Sequence, residues 1–208
     1  MIKLILLIFV FIPSFVLSQD LQSLEKELDN AINKGEYYHR IRLDDIDNLK
    51  QQLRTGKYLD RNESYAINYK IATQYAKFQS DSALNYIQYC KKLLTPQDDS
   101  LHTILDLDLA ALYSTTGRYI EAINILKSIN NTKIAKAILP KYYQTYGSFY
   151  SHYGQSNNNN EFYRLSENYR DSLISCLDTN QLLYKIENAT KKLFSGNRAQ
   201  AIDELKFL

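Results

Sequence analysis

Tyrosine is the residue type whose clustering most strongly suggests binding chemistry in this chain. Five tyrosines lie within twelve residues: Tyr142, Tyr143, Tyr146, Tyr150 and Tyr153. Helical spacing places the second, third and fourth of them on one face, which is expected to fill the core between helices. The alternative is a stacking surface for a sugar or a peptide, for which Tyr142 and Tyr153, off that face, are the better contacts.

Residue types that could carry catalysis or bind a metal do not occur at useful spacings. His39, His102 and His152 are far apart, and the sequence has no His-Glu-x-x-His, paired-cysteine or calcium-loop motif. The carboxylates of residues 44–47 would point in different directions around a helix. Gly-x-Ser-x-Gly, phosphate-loop and dinucleotide motifs are also absent. We therefore predict a non-enzyme with no catalytic residue, no metal site and no cofactor.

The charge balance argues against nucleic acid as a partner. The sequence has 25 basic and 23 acidic residues, and its formal net charge is +2. Duplex binding needs a concentrated basic face. Here the two signs are interspersed, as in residues 40–50, which is typical of a solvated helix surface.

Residues 1–18 have the layout of a secretory signal peptide. Lys3 precedes an apolar run from Leu4 to Leu17, and Ser18 is a small residue at the predicted cleavage point. The alternative is an uncleaved anchor, but the run is short for a span of roughly 20 residues and Pro13 interrupts it. We expect cleavage after Ser18 and a periplasmic or secreted protein. Any membrane association would then depend on the leader or on a C-terminal segment that this chain lacks.

The two cysteines, Cys90 and Cys176, each lie among residues of predicted helix cores. Export makes a disulfide bond possible. Because the two residues would belong to different helix pairs, we favour two separate buried thiols that pack as small apolar groups.

The dominant pattern in the rest of the chain is an apolar residue every three to four positions, which predicts helices and almost no strand. Residues 19–60 are predicted to form an N-terminal helical pair with a break at Gly35. The remainder, 61–208, is predicted to form repeats. Gly154 is expected to end a helix that begins at Pro140, and an Asn-rich loop is expected over residues 155–160. The predicted helices are 21–34, 37–54, 64–78, 80–94, 101–115, 119–129, 140–152, 161–176, 181–194 and 199–208.

One phrase occurs twice and points to a stacked array. Residues 117–123 read Gly-Arg-Tyr-Ile-Glu-Ala-Ile, and residues 196–202 read Gly-Asn-Arg-Ala-Gln-Ala-Ile. A glycine followed by Ala-Ile five and six residues later marks a junction where small residues let two helices approach closely. Repetition at this scale is typical of helical solenoids.

These residues resemble the tetratricopeptide repeat, whose unit is a helix pair of about 34 residues. The resemblance covers 64–208 and implies an all-α, tetratricopeptide-like α-solenoid of about four to five helix pairs. It also implies a set of repeat-packing residues. In the best unit they are Leu109, Ala110, Tyr113, Gly117, Tyr119, Ala122 and Leu126; in later units they are Tyr146, Gly147, Tyr150, Gly154, Gly196 and Ala201.

In this family the concave groove is lined by residues of the first helix of each pair that lie off the packing stripe. By that spacing the peptide-groove candidates are Ile104, Leu107, Ala111, Ser114, Thr115, Lys141, Gln144, Ser148, Ser151 and His152. Such a surface could hold an extended or helical peptide. The family's clamp for a terminal carboxylate needs several basic and amide residues. Only Lys141 is present, so that partner class is not supported.

A second resemblance is to the exported, tetratricopeptide-containing half of certain bacterial sensor or regulator proteins. The signal peptide, the tyrosine-rich array and the Ser-Asp-Ser-Ala-Leu phrase at 80–84 carry it. It implies a non-catalytic module that binds a protein or peptide in the periplasm as part of a signalling protein. The alternative is a cell-wall or glycan-associated protein that uses exposed tyrosines.

The last predicted helix is apolar where solenoids usually place a polar cap. Its apolar residues are Ile202, Leu205, Phe207 and Leu208. We therefore expect this end to dock on a partner or on a second copy, or the natural polypeptide to continue.

Overall fold

The computed structural model describes the backbone of residues 2–205 and the side chains of residues 21–205. The side chains of the predicted leader, and Phe207 and Leu208 of the last predicted helix, therefore lie outside the described residues. The chain divides into two compact units, Met1–Gly56 and Lys57–Leu208. Among the described residues, no helix is long and apolar enough to cross a membrane.

The first unit contains one long helix, α1 (Ile2–Thr55). The predicted break at Gly35, and with it the N-terminal helical pair, is wrong. A glycine weakens a helix interior by roughly 1 kcal/mol relative to alanine, which is too little by itself to end a long helix. Gly35 has no positive φ, and a β-carbon added there would meet no neighbouring atom within 4 Å, so neither a turn nor a close approach requires it.

The second unit is built from consecutive helix pairs, and in its described part these are four. The pairs are α2 (Arg61–Tyr75) with α3 (Ser80–Leu93), α4 (Asp99–Thr115) with α5 (Tyr119–Ser128), α6 (Leu139–Asn157) with α7 (Asn160–Cys176), and α8 (Leu182–Phe194) with α9 (Arg198–Leu205). Two short 3-10 helices, Asn131–Lys133 and Lys136–Ile138, connect α5 to α6. The predicted all-α array of helix pairs is confirmed.

A capping box starts this unit. The Asp60 side chain accepts a hydrogen bond of 2.8 Å from the Glu63 amide, and the Glu63 side chain accepts one of 3.0 Å from the Asp60 amide. Two otherwise unpaired amides of the first turn are thereby satisfied. This local signal fixes where α2 begins.

Three helices of the unit end in the same way, with a residue in the left-handed region. Gly117 (φ 77°) ends α4, Asn158 (φ 47°) ends α6 and Gly196 (φ 87°) ends α8. In each case the next amide bonds the carbonyl five residues back, at 2.8 to 3.1 Å, which satisfies a carbonyl of the last turn. Asn158, not Gly154, is therefore the middle turn residue.

Gly154 lies inside α6, so the predicted helix end at this residue and most of the predicted Asn-rich loop are wrong. A β-carbon at Gly154 would lie 3.2 Å from the Phe162 β-carbon and 3.3 Å from the Tyr163 amide nitrogen. The glycine is thus needed for the close approach of α7 to α6. Gly147 lies in the same contact between the two helices, and a β-carbon there would be 3.6 Å from the Tyr169 β-carbon.

The repeat-packing residues occupy three kinds of position: half-buried, exposed at turns, and buried. Tyr113, Tyr119, Gly147 and Tyr150 are half-buried, and Gly117 and Gly196 are exposed at turns. The others are buried: Leu109, Ala110, Ala122, Leu126, Tyr146, Gly154 and Ala201.

Two expectations about individual residues are corrected. Tyr142 is only 8% exposed and belongs to the central core cluster, so it is not available as a ligand contact. Cys90 is buried as expected, but Cys176 is exposed near the end of α7. The apolar stripe of a helix indicates which side faces the core. It does not show whether a neighbouring helix extends far enough to cover the last turn, where Cys176 lies.

The last helix pair presents apolar side chains to solvent. Leu182, Phe194, Ile202 and Leu205 are each about half exposed or more. In the preceding pairs the corresponding surface is covered by the next pair. The predicted docking of this end stays a prediction.

Candidate functional site

The exposed sides of α2, α4, α6 and α8, the first helices of the four pairs, form a surface that we call the inner face. Two pockets lie on it. The first, the apolar pocket, has a volume of about 140 Å³ and lies between α2, α3 and α4. Its walls are mainly small or aliphatic: Ala72, Thr73, Ala76, Ile87, Ala111, Leu112 and Thr115.

A polar network crosses the inner face beside the apolar pocket. The Tyr69 hydroxyl donates to Asp108 Oδ2 at 2.8 Å, and Lys141 Nζ lies 2.5 Å from Asp108 Oδ1. The network joins α2, α4 and α6 and neutralises the Asp108 carboxylate at the pocket wall. Burial, followed by the neighbouring Asp108 carboxylate, raises the pKa of Tyr69 far above its ordinary value, so its hydroxyl stays a donor.

The second pocket, the polar pocket, occupies the equivalent place two pairs later, between α6, α7 and α8. Its volume is about 120 Å³. Hydrogen-bonding side chains dominate its walls: Gln144, Ser148, Ser151, His152, Ser166, Arg170 and Glu187. Arg170 Nε donates to Glu187 Oε2 at 3.0 Å, and Arg170 also pairs with Glu167, so the largely buried cation is compensated.

Between the two pockets, the junction of α4 with α6 is filled with aromatic side chains. Tyr142, Tyr146 and Phe149 are each less than 10% exposed, and the Tyr146 hydroxyl donates to the Leu126 carbonyl at 2.8 Å. Ser114 Oγ and His152 Nδ1 lie 3.0 Å apart across the same junction. The junction of α4 with α6 is therefore closed by packed side chains that also reach α5.

The structure places most of the predicted groove residues on the inner face. Ala111 and Thr115 line the apolar pocket, and Gln144, Ser148, Ser151 and His152 line the polar pocket. Lys141 lies between them but is bound to Asp108, so its ammonium group is already paired and does not need a ligand carboxylate.

Besides Lys141, three predicted groove residues do not line either pocket. Ile104 is half-buried and packs against the central core. Leu107 is 0% exposed in that core, so its prediction as a groove residue is wrong, because α4 turns this position towards α5 and α6. Ser114 is 2% exposed and is used in the contact with His152.

Sequence reasoning missed two sets of residues that line the pockets. The α2 wall, Tyr69 with Ala72, Thr73 and Ala76, could have been found by applying the same off-stripe spacing to the first pair. Arg170 and Glu187 had no such signal, because they lie on α7 and α8, 17 residues apart, and meet only through packing.

Chemistry that needs a metal has no visible site in the part of the chain that the structure describes. No group of three or more histidines, cysteines, aspartates or glutamates there could hold an ion. The two tyrosines that were the better candidates for a stacking surface, Tyr142 and Tyr153, both pack against other side chains. Tyr153 is half-buried and stacks on Phe149, with ring centroids 5.7 Å apart, and Tyr142 is in the core.

Comparison with known proteins agrees with the fold and the repeat. No curated protein and no solved structure matches the chain. A family model described as the SusR N-terminal TPR domain matches residues 32–208, which includes all four helix pairs. Tetratricopeptide domains generally mediate protein–protein interaction and are typically non-catalytic. The chain is therefore a member of the SusR N-terminal tetratricopeptide repeat domain family.

Proposed function

We propose that this chain is a non-catalytic, exported binding module that holds a segment of another protein on its inner face. We further propose that it is the periplasmic, sensing part of a bacterial signalling protein. The observation that carries the first proposal is the apolar pocket between α2, α3 and α4. An apolar cavity of about 150 Å³ is large enough to hold a benzene ring. The pocket here, at about 140 Å³, therefore suits one side chain of a partner.

The size of the pockets favours a polypeptide over a small molecule. Small-molecule sites usually have volumes of roughly 300–1,000 Å³. Two smaller pockets, each lined by the first helices of successive pairs, match instead the way in which a peptide inserts separate side chains into separate sites. The glycan alternative has no comparable support, since of its two candidate tyrosines Tyr142 is buried and Tyr153 is half-buried against Phe149.

Photocrosslinking in the native cells tests the binding face. A photoreactive amino acid at Thr115 or Ser148, both exposed on the inner face, should give a discrete protein adduct. The same amino acid at Asn124, exposed on α5, is the control and should give none. The Thr115 adduct should also be lost in Ala111→Leu, which fills the apolar pocket. Equal labelling at all three positions, or none at any, would contradict a partner on the inner face.

Cell fractionation tests the exported location. We expect the protein in the periplasmic or secreted fraction, at a mass consistent with removal of residues 1–18 or as part of a larger membrane-bound polypeptide. The larger form would support the sensor interpretation and the smaller one a free-standing adaptor. A cytoplasmic protein of full length would refute export.

Self-association is a further part of the proposal, carried by the apolar side chains that α8 and α9 expose. Ile202 is 53% exposed on α9. A second copy of the chain would cover these apolar side chains with helix surfaces, as neighbouring helices cover the other pairs. Sedimentation velocity should show concentration-dependent dimers that Ile202→Ser weakens. Ile120→Ser, at a 74% exposed position on α5, should leave them unchanged. Monomers at every concentration would contradict self-association.

A further inference from the structure

We infer that α1 pairs with α1 of a second copy of this chain, as an antiparallel coiled coil over residues 21–38. This contact differs from the one proposed for α8 and α9, and it does not depend on what the inner face binds. It gives a use to a stretch of helix in which every residue, from 21 to 41, is exposed.

The apolar residues of this stretch form a narrow stripe that we call the seam. Leu21, Leu24 and Leu28 are each about 60% exposed. Their spacings of three and four residues continue along the helix and repeat every seven. The seam consists of Leu21, Leu24, Leu28, Ala31, Gly35 and Tyr38. Most of the stability of a helix in a protein comes from packing of its apolar face, so a helix with this seam uncovered is marginal in water.

The shape and charge of the stretch fit a second helix better than a membrane surface. A stripe of two positions in every seven is the pattern of a coiled-coil seam, and it is narrower than the apolar face of an ordinary surface helix. Helices that lie on membranes have a basic polar face. Here the first half of the stretch, residues 21–29, has three acidic residues and one basic residue. The occupant of the seam is therefore another helix.

The sizes of the seam residues favour an antiparallel pair of identical helices. In a parallel pair each residue meets its own copy, so Gly35 would face Gly35 and leave a gap. In the antiparallel pair Leu28 faces Ala31 of the second copy, and Leu24 faces Gly35. Large side chains then fill the space that small ones leave. No turn or close approach within the chain requires Gly35, and this pairing supplies a close approach between copies.

The charges beside the seam favour the same alignment. Glu27 and Lys34 are seven residues apart, on one edge of the seam. When Leu28 faces Ala31, Glu27 of each copy lies beside Lys34 of the other, which gives two contacts between opposite charges. A shift of seven residues in either direction would place Glu27 beside Glu27, or Lys34 beside Lys34. In a parallel pair Glu27 would lie beside Ile32 instead.

Disulfide cross-linking tests which residues meet. All proteins carry Cys176→Ser, which removes the exposed thiol, and burial raises the pKa of Cys90 to about 11, so that thiol reacts slowly. A mixture of Leu28→Cys and Ala31→Cys proteins should form a linked dimer on mild oxidation, and either protein alone should form little. The matched control is a mixture of Lys26→Cys and Asn33→Cys, at exposed positions on the side of α1 away from the seam, which should also form little.

Charge reversal distinguishes a lost contact from a damaged helix. Glu27→Lys in both cross-linking proteins should lower the yield of linked dimer by about fivefold, because attraction becomes repulsion. Lys34→Glu should do the same, and the two reversals together should restore the yield. Lys26→Glu, away from the seam, should leave it unchanged. Circular dichroism checks that the helix content of every variant is that of the parent.

Each other result overturns the inference. Linked dimers of Leu28→Cys alone, at the yield of the mixture, would mean a parallel pair. Equal yields for the control mixture would mean random collision, and no linked dimer in any mixture would mean that another molecule covers the seam. A double reversal that fails to restore the yield would remove the alignment. The contact of α8 and α9 and the inner face have their own tests, so these failures leave the proposed function standing.

Discussion

The apolar and polar pockets occupy the same place in the repeat, two pairs apart, yet their walls have opposite chemistry. In the first, alanines at 72, 76 and 111 face an isoleucine of α3. In the second, glutamine and serine side chains of α6 face an arginine of α7 and a glutamate of α8. A repeat fixes the position of a pocket, because the same helices must pack. The residues off the packing stripe are free to differ, so the specificity of the inner face can change without loss of the array.

The largest effect is expected from two neighbouring alanines on α4. Ala110 is 0% exposed in the central core, and Ala110→Leu should lower the free energy of unfolding by about 2–3 kcal/mol through overpacking. Ala111 lines the apolar pocket, which can accept the added carbons, so Ala111→Leu should change it by less than about 1 kcal/mol. Urea denaturation measures both. Equal destabilisation would mean that the apolar pocket is not open space.

The ion pair in the polar pocket should give the next largest effect. Arg170 and Glu187 side chains are 15% and 18% exposed, and their nitrogen–oxygen distance is 3.0 Å. Glu187→Gln should lower the free energy of unfolding by about 1–2 kcal/mol, because the largely buried guanidinium loses a charged partner. The matched control is Asp171→Asn, whose pair with Lys191 is about half exposed and should contribute less than about 0.5 kcal/mol. Equal values for the two variants would mean that solvent screens the polar pocket as it does the surface.

The next largest effect is expected at the end of α6, the helix that contributes one wall of the polar pocket and continues to Asn157. Asn158 holds φ at 47°, and a residue with an ordinary β-carbon in this region costs about 1–2 kcal/mol. Asn158→Ala should therefore lower the free energy of unfolding by about 1 kcal/mol, and Asn158→Gly should leave it within about 0.5 kcal/mol. Thermal melts followed by circular dichroism measure both. If the alanine variant were as stable as the glycine variant, α6 would end elsewhere.

The fold could be predicted from the sequence because packing repeats and turns leave local signals. Ala110, Ala122 and the turn glycines Gly117 and Gly196 all follow the spacing that two packed helices need. Gly154 misled the prediction because glycine serves two needs, a left-handed turn and a close approach. Only the position of Phe162, on the next helix, shows which one applies.

The inner face could be predicted only in part. The off-stripe spacing found Ala111, Thr115 and Ser148, since one helix defines each position. It failed for Leu107 because the angle between α4 and α6 decides which off-stripe residue is covered. It could not find the Arg170–Glu187 pair, which depends on how two separate helices meet.

The smallest effect is expected from the network beside the apolar pocket, and it should depend on pH. Tyr69→Phe removes a 2.8 Å hydrogen bond to Asp108, which remains paired with Lys141. The free energy of unfolding at pH 7 should fall by about 0.5–1 kcal/mol, since the group is only half-buried.

The pH dependence follows from the raised pKa of Tyr69 in the folded protein. Above about pH 10, an unfolded tyrosine ionises while folded Tyr69 keeps its proton, so the folded state binds more protons and loses stability as pH rises. The advantage of the wild-type chain over Tyr69→Phe should therefore be full below pH 10 and narrow above it. Urea midpoints of both proteins between pH 7 and 11 measure the difference. The other tyrosines with raised pKa values, such as Tyr146 and Tyr169, are present in both proteins, so their effects on stability cancel in the comparison. If the difference in stability between the two proteins stayed constant up to pH 11, the Tyr69 hydroxyl would be open to solvent. Water would then reach the rim of the apolar pocket as it reaches the polar pocket.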